Sequence, residues 1–231
     1  MSTKLSYGKR PTAMLHIMEN KLKVIESFLS IQGEGIHSGL PTYFVRLAGC
    51  NLRCSFCDTK YSYTGGREIK IADILTSIEK QQVDLICITG GEPLLQAGTS
   101  TLIDELISRG YRVDIETHGS ILINNLNNSP RILYSLDVKC PSSGMAEKMN
   151  LDNLKYLSKK DQVKFIIGNK NDYKFAKEIM EKYKLTNKTN IIFTPVDGIK
   201  AKKLVEWIIR DDLQVRIGLQ IHKIIWKSER E

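Results

Sequence analysis

Short apolar runs separated by amphipathic stretches recur along this 231-residue chain, and that alternation most constrains what it can fold into. The runs Tyr43 to Leu47, Leu85 to Thr89, Arg112 to Glu116, Ile132 to Val138, Gln162 to Ile167, Asn190 to Thr194 and Gln214 to Leu219 read as strands of a parallel sheet. Between them, Ile71, Ile74, Leu75 and Ile78 recur at helical spacing, and Leu102, Ile103, Leu106 and Ile107 form a second apolar face that Gly110 ends. Later faces use Leu151, Leu154 and Leu157, then Ala176, Ile179, Met180 and Tyr183, then Leu204, Val205, Ile208 and Ile209. Strands joined by single helices, each unit long enough for a right-handed crossover, predict an α/β fold, either a β/α barrel or a doubly wound sheet.

Three cysteines stand together in Cys50-Asn51-Leu52-Arg53-Cys54-Ser55-Phe56-Cys57, with three residues between the first pair and two between the second. Three thiolates on one short loop can hold three corners of a 4Fe-4S cluster, since each iron takes a soft sulfur donor. The fourth iron is then open to a substrate or cofactor, as a catalytic cluster requires. The competing reading is a structural zinc site completed by Cys140 or a histidine; zinc loops, however, are usually built from paired Cys-x-x-Cys units. A cysteine loop directly after the first core strand favours the barrel, because sites gather at the carboxyl ends of barrel strands.

Composition excludes several classes. With 42% hydrophobic and 26% charged residues the chain buries a full core, so a single domain is expected over residues 21–231, with the cysteine loop at 50–57 and residues 1–20 as a polar extension. Five cysteines, three of them in one loop, do not make a disulfide framework, and the remaining Cys87 and Cys140 fall on the predicted strands. No run is long enough to span a membrane and the first residues lack a secretory signal, so a reducing, cytoplasmic setting is expected. The formal charge of +8 raises nucleic acid as a partner, but Lys155, Lys159, Lys160, Lys164, Lys170, Lys174, Lys177, Lys182 and Lys184 are scattered without interleaved aromatics. Solvated helix faces account for most of them, and a basic face for an acidic electron donor is the further reading.

The cysteine spacing resembles that of the radical S-adenosylmethionine (SAM) superfamily, in which the open iron chelates the methionine part of SAM; Phe56 matches the aromatic that shields the cluster. A second segment, Thr89-Gly90-Gly91-Glu92-Pro93, follows the strand Leu85-Ile86-Cys87-Ile88. Read alone it is a strand-to-helix turn whose glycines let backbone approach a ligand closely. One unit after the cysteine loop, it resembles the superfamily's Gly-Gly-Glu-Pro segment, which binds the amino group of SAM. Glu116-Thr117, Lys139, Thr194 and Asp197 close further strands and are candidate SAM contacts. The strand Ser135 to Lys139 is longer than the Ser-Pro-Lys of many relatives, and Thr194 stands where a glutamine is common.

Four further segments, Ser30-Ile31-Gln32-Gly33-Glu34-Gly35, Pro41 through Leu52, Cys57-Asp58-Thr59 and Gln220-Ile221-His222-Lys223, resemble the 7-carboxy-7-deazaguanine synthase family, and the likeness runs from about residue 27 to about residue 226. The resemblance implies an incomplete (β/α)6-type parallel barrel, open at the side where substrate enters, and a homodimer. It implies conversion of 6-carboxy-5,6,7,8-tetrahydropterin to 7-carboxy-7-deazaguanine with loss of ammonia, on the way to queuosine or archaeosine in transfer RNA. A 5′-deoxyadenosyl radical made from SAM takes hydrogen from C6, and SAM is rebuilt afterwards. The electron donor would be an acidic protein of flavodoxin or ferredoxin type.

Arg46 offers a bidentate fork for the substrate carboxylate, with a strand-edge salt bridge as its alternative. Gln32, Glu34 and the backbone of Ile31 and Gly33 match the donor pair and carbonyl of a pterin edge. The resemblance adds Thr89 and His222 as substrate contacts and Thr59 as a Mg2+ ligand, which a helix cap by Asp58-Thr59 would rival or accompany. Two other classes share features with this chain: an activase of glycyl-radical enzymes, which shares the cysteine spacing but does not need Gln32, Glu34, Arg46 and Thr59, and a zinc-stabilised nucleic-acid-binding module.

Overall fold

The computed structural model describes residues 20–196 and 201–227. The predicted extension, apart from Asn20, and the candidate Asp197 lie outside the described residues. Among the described residues the strands are β1 (Lys21–Ile31), β2 (Pro41–Leu47), β3 (Arg67–Lys70), β4 (Leu85–Gly90), β5 (Arg112–Thr117), β6 (Ile132–Val138), β7 (Gln162–Ile167), β8 (Asn190–Pro195) and β9 (Arg216–Ile217). They form one sheet in the order β3-β1-β2-β4-β5-β6-β7-β8-β9. Every pair from β2 to β9 is parallel, whereas β1 runs antiparallel to both β2 and β3. The parallel sheet is an incomplete barrel, as the family resemblance implies; of the two folds the alternation allows, the cysteine loop favours the barrel.

Alternate residues along each parallel strand separate two chemistries. One face carries Val45 and Leu47, Ile86 and Ile88, Val113 and Ile115, Leu136 and Val138, Val163 and Phe165, and Ile191 and Phe193, all in the buried core. Helices α1 (Ile71–Glu79), α2 (Gly98–Ser108), α3 (Lys170–Lys182) and α4 (Ala201–Arg210) supply its other layer. The opposite face holds Arg46, Thr89, Glu116, Ser135, Asp137, Lys164 and Thr194, all of which line one cavity. Burying polar side chains inside a sheet is costly unless they are paired, so this inner face is where the fold concentrates chemistry.

Two elements escaped the sequence reading. In β1 only Leu22 and Val24 reach the core, while the rest of this 11-residue strand alternates irregularly past a register shift at Val24/Glu26. In β3 the sequence Arg67-Glu68-Ile69-Lys70 has no apolar run and is a strand through its backbone pairing with Lys21 to Val24. A predicted helix is also absent: Leu151, Leu154 and Leu157 lie on a 3-10 turn, Leu151–Lys155, and the residues after it. Asn153 accounts for that. Buried, it donates to Gly119 O at 2.9 Å and Ile121 O at 2.8 Å and accepts from Ile123 N at 2.9 Å, tying the turn to the β5–β6 connection. Asn153→Ala is expected to cost roughly 2 to 4 kcal/mol, because three bonds to buried backbone groups are lost together. Chemical denaturation checks this, and a loss below about 0.5 kcal/mol would mean that water replaces the amide fully.

Candidate active site

The cavity at the carboxyl ends of the parallel strands encloses about 660 Å³ and is bordered on one side by the cysteine loop. Cys50, Cys54 and Cys57 are unbonded and half-buried, and all three border the cavity. Cys87 and Cys140 are fully buried and do not. Cys140 lies just past β6 rather than in a strand, with its thiol turned to Val138 O at 3.8 Å. Burial pushes the Cys50 and Cys54 thiols up, with Lys139 pulling the other way at Cys54. Three soft donors converging from one loop, with no fourth cysteine in reach of the cavity, fit a 4Fe-4S cluster with one open iron.

Gly90, the last residue of β4, and Gly91 make a close contact besides the one their sequence suggests. A Cβ on Gly91 would stand 2.3 Å from Gly49 O and 2.7 Å from Cys50 Cβ, and one on Gly90, at φ +155°, 2.3 Å from Leu47 O. Their small size lets the end of β4 pack directly on the cysteine loop, where Gly91 N donates to Leu47 O at 3.2 Å and Glu92 N to Gly49 O at 2.8 Å. Glu92 itself does not line the cavity, nor does Ile31. The Glu92 carboxylate accepts from Leu94 N at 3.0 Å, Thr117 Oγ1 at 2.8 Å and His118 N at 3.0 Å. Burial raises it to about 7 against those donors. Glu92 thus locks the end of β5 to the end of β4, and Thr117, although at the cavity wall, spends its hydroxyl on that lock.

On the opposite wall Glu34 accepts from Lys164 Nζ at 2.7 Å and from the Gln220 amide. Burial opposes its ionisation, but Lys164 and Gln220 overcome this and hold the carboxyl at about 2. Lys164 is therefore no solvated lysine: it is buried on the inner face of β7. Gln32 reaches Glu116 Oε1 at 3.4 Å, and Thr89 Oγ1 donates to Glu116 Oε2 at 2.8 Å, so Gln32, Thr89 and Glu116 form one polar group. Arg46 pairs through Nε with Glu26 Oε1 at 2.8 Å across the β1–β2 ladder, which is the strand-edge bridge, and it lines the cavity as well.

The C-terminal segment closes this wall. Ile221 N donates to Gly33 O at 3.1 Å at the start of α5 (Ile221–Ile225), and the His222 ring sits where a Cβ on Gly33 would be, 1.9 Å from Nδ1. Lys223 Nζ bonds Asp58 Oδ2 at 3.2 Å, so Asp58 holds the segment rather than capping a helix. Thr59 occupies the N-cap position of the turn Lys60–Ser62, yet its hydroxyl makes no capping bond and lies 3.8 Å from Cys57 Sγ.

Lys139 Nζ bonds Asp137 Oδ2 at 2.7 Å at the end of β6, while Asp137 Oδ1 is buried without a partner among the described residues. An acceptor of that kind fits the hydroxyl and amino donors of a bound SAM. Thr194 lines the cavity at β8, where the close approach of Gly218 covers its hydroxyl. Asp137, Lys164 and His118 were missed from the sequence as site residues. The available signal was a charge at an alternate position of an apolar strand, as in Gln162-Val163-Lys164-Phe165-Ile166.

Comparison with known proteins agrees with this geometry. The model of the radical SAM superfamily matches residues 44–208. The chain is 37% identical over 224 residues to the 7-carboxy-7-deazaguanine synthase of Koribacter versatilis, an alignment covering 90% of this chain and 98% of the relative. The corresponding synthases of Thermoplasma acidophilum and Clostridium acetobutylicum are 39% and 40% identical, covering 88% and 90% of this chain and 96% and 97% of each relative. Among solved structures, QueE from Escherichia coli superposes with a TM-score of 0.68 over 91% of this chain and 99% of that one, at 21% identity. Streptococcus suis SuiB bound to precursor peptide SuiA shares the fold with a TM-score of 0.55 at 16% identity, over 73% of this chain and 46% of that one. With near-complete coverage by those relatives and a cysteine loop on the cavity, the chain belongs to the 7-carboxy-7-deazaguanine synthase family of the radical SAM superfamily.

Proposed function

We propose that this radical SAM enzyme of 7-deazapurine biosynthesis converts 6-carboxy-5,6,7,8-tetrahydropterin to 7-carboxy-7-deazaguanine and ammonia. The observation that carries the reading is the cavity wall itself, in which Arg46, Gln32, Glu34 and Thr89 face the space beside three thiols. Cys50, Cys54 and Cys57 would hold the cluster, which with SAM supplies the species that abstracts hydrogen from the substrate. The remaining tasks fall to this chain's own side chains. Gln32, Glu34 and the backbone of Gly33 are set to pair with the pterin edge, Lys164 keeping Glu34 ionised as an acceptor. Gly90, Gly91, Glu116, Lys139 and Asp137 surround the space for SAM, and His222 closes the substrate side over Gly33.

Arg46 is assigned to the substrate carboxylate. Glu26 engages Nε on one edge of the guanidinium, and Tyr61, which also bonds Glu26, lies 5.9 Å from Arg46 Cζ, so the plane is held in place. Arg46→Lys keeps the charge and loses the fork; kcat/KM for the pterin is expected to fall roughly tenfold to a hundredfold, about 1.5 to 3 kcal/mol, with SAM binding unchanged. Equal losses in SAM affinity and in pterin efficiency would reassign Arg46 to structure.

A Mg2+ ion at Thr59 belongs to the same reading. A neutral hydroxyl is a weak ligand for a hard cation, so substrate oxygens and water would supply most of its shell. Turnover is therefore expected to rise with magnesium, and Thr59→Ala to lose most of that response while retaining full iron content. The same magnesium response in the variant would remove Thr59 from the site. An acidic flavodoxin- or ferredoxin-type donor, a homodimer and a reducing cytoplasm complete the proposal; the charge of +8 supports the first. No helix among the described residues is long and apolar enough to cross a membrane.

A further inference from the structure

His118 is a buried side chain at the edge of the cysteine loop for which the proposed reaction has no use. Its Nε2 lies 3.7 Å from Cys50 Sγ, within hydrogen-bonding reach of sulfur. Its orientation is imposed from both sides. The backbone N–H of His118 donates to Glu92 Oε2 at 3.0 Å, and its Nδ1 accepts from Ser120 N at 3.3 Å. An imidazole that accepts at Nδ1 carries its proton on Nε2, so the N–H is directed at the sulfur. Glu92 Oε2 also lies 3.2 Å from Nδ1, but it already accepts from Thr117 and the His118 backbone, and only a proton on Nε2 leaves Nδ1 free to accept from Ser120 N.

We propose that His118 donates an Nε2–H hydrogen bond to the Cys50 thiolate and thereby sets the reduction potential of the cluster. It is a positioning and tuning residue, not a ligand and not an acid or base. Hydrogen bonds to cluster sulfurs favour the more negatively charged, reduced state, because the donor stabilises charge on sulfur. Neighbouring geometry reinforces the link: Glu92, which fixes His118, also fixes the Gly49 carbonyl beside Cys50 through its own N–H. Donor and acceptor are thus held by one buried carboxylate residue. The inference rests on the three-cysteine cluster reading.

The test uses the reconstituted full chain without substrate. His118→Phe keeps a ring and removes the donor, and His118→Gln returns an amide N–H near the position of Nε2. With iron content unchanged, the ratio of reduced to oxidised cluster at a fixed ambient potential is expected to fall roughly threefold to tenfold in His118→Phe, a negative shift of the midpoint, and to recover in His118→Gln. An unshifted midpoint in an iron-replete His118→Phe overturns the proposal, as does loss of the cluster from a variant whose circular dichroism is native, which would make His118 a ligand. A measurement on the unmodified chain is independent of folding: with 15N-labelled histidine, pulsed EPR of the reduced cluster is expected to show a weak 15N coupling transmitted through sulfur. No coupling overturns the proposal, and a strong coupling typical of direct ligation overturns it too. Absence of any four-iron signal in the unmodified chain would instead strike at the cluster reading itself.

Discussion

Cys54→Ala is expected to leave a chain that folds but retains no 4Fe-4S cluster, with the visible absorbance of the reconstituted protein and all turnover lost. Cys50→Ala and Cys57→Ala should behave in the same way. The three thiols are the soft donors on the cavity wall, and two of them cannot retain a cluster that needs one thiolate on each of three irons. Cys140→Ala is the control. Its thiol is buried and turned to Val138 O, so the variant should keep its iron and lose only a little packing. Iron analysis decides the matter: retention by Cys54→Ala together with loss in Cys140→Ala would reverse the assignment.

The second large effect is expected from a single methyl group. Gly91→Ala places a Cβ 2.3 Å from Gly49 O and 2.7 Å from Cys50 Cβ, and neither atom is the end of a flexible side chain. The cysteine loop has to shift away from β4, which breaks the bond from Glu92 N to Gly49 O that holds the loop against the sheet. Most of the iron-binding capacity should be lost, with a stability cost of about 1 to 3 kcal/mol. Iron content and thermal unfolding measured together separate the two effects. A variant with full iron and wild-type melting would show that the loop tolerates the shift.

Gly91 also makes a contact that its motif does not announce. Paired glycines after an apolar strand signal close approach by something, and in this fold the cysteine loop makes such an approach on one side while both glycines line the cavity on the other. The parallel strands β2 and β4 to β8 were legible because each carries an apolar face for the helix layer, and the cysteine loop because its three thiols are adjacent in sequence. Strand β3 was not legible, since its hydrogen bonds to β1 involve backbone that no side-chain pattern records. The predicted helix at Leu151 to Leu157 failed because its apolar spacing is helical while Asn153 has bonds to make elsewhere.

Within the site, residues in contiguous motifs were found and their partners were not. Gln32 and Glu34 stand out in Gln32-Gly33-Glu34-Gly35, but Lys164 and Gln220, which bind Glu34, lie far away in sequence and meet it only when the sheet curls. His118 follows the recognised pair Glu116-Thr117 and becomes informative only through its distance to Cys50. Asp137 read as part of a lengthened strand; its buried Oδ1, without a partner among the described residues, is what brings it into the proposed SAM site.

The central claim is tested most directly by incubating the reconstituted protein anaerobically with reductant, SAM, magnesium and 6-carboxy-5,6,7,8-tetrahydropterin, and following the pterin and its product by mass. The account predicts 7-carboxy-7-deazaguanine and ammonia in equal amounts, with many products formed per SAM supplied. A cluster-replete protein that cleaves SAM but returns the carboxypterin unchanged would contradict it.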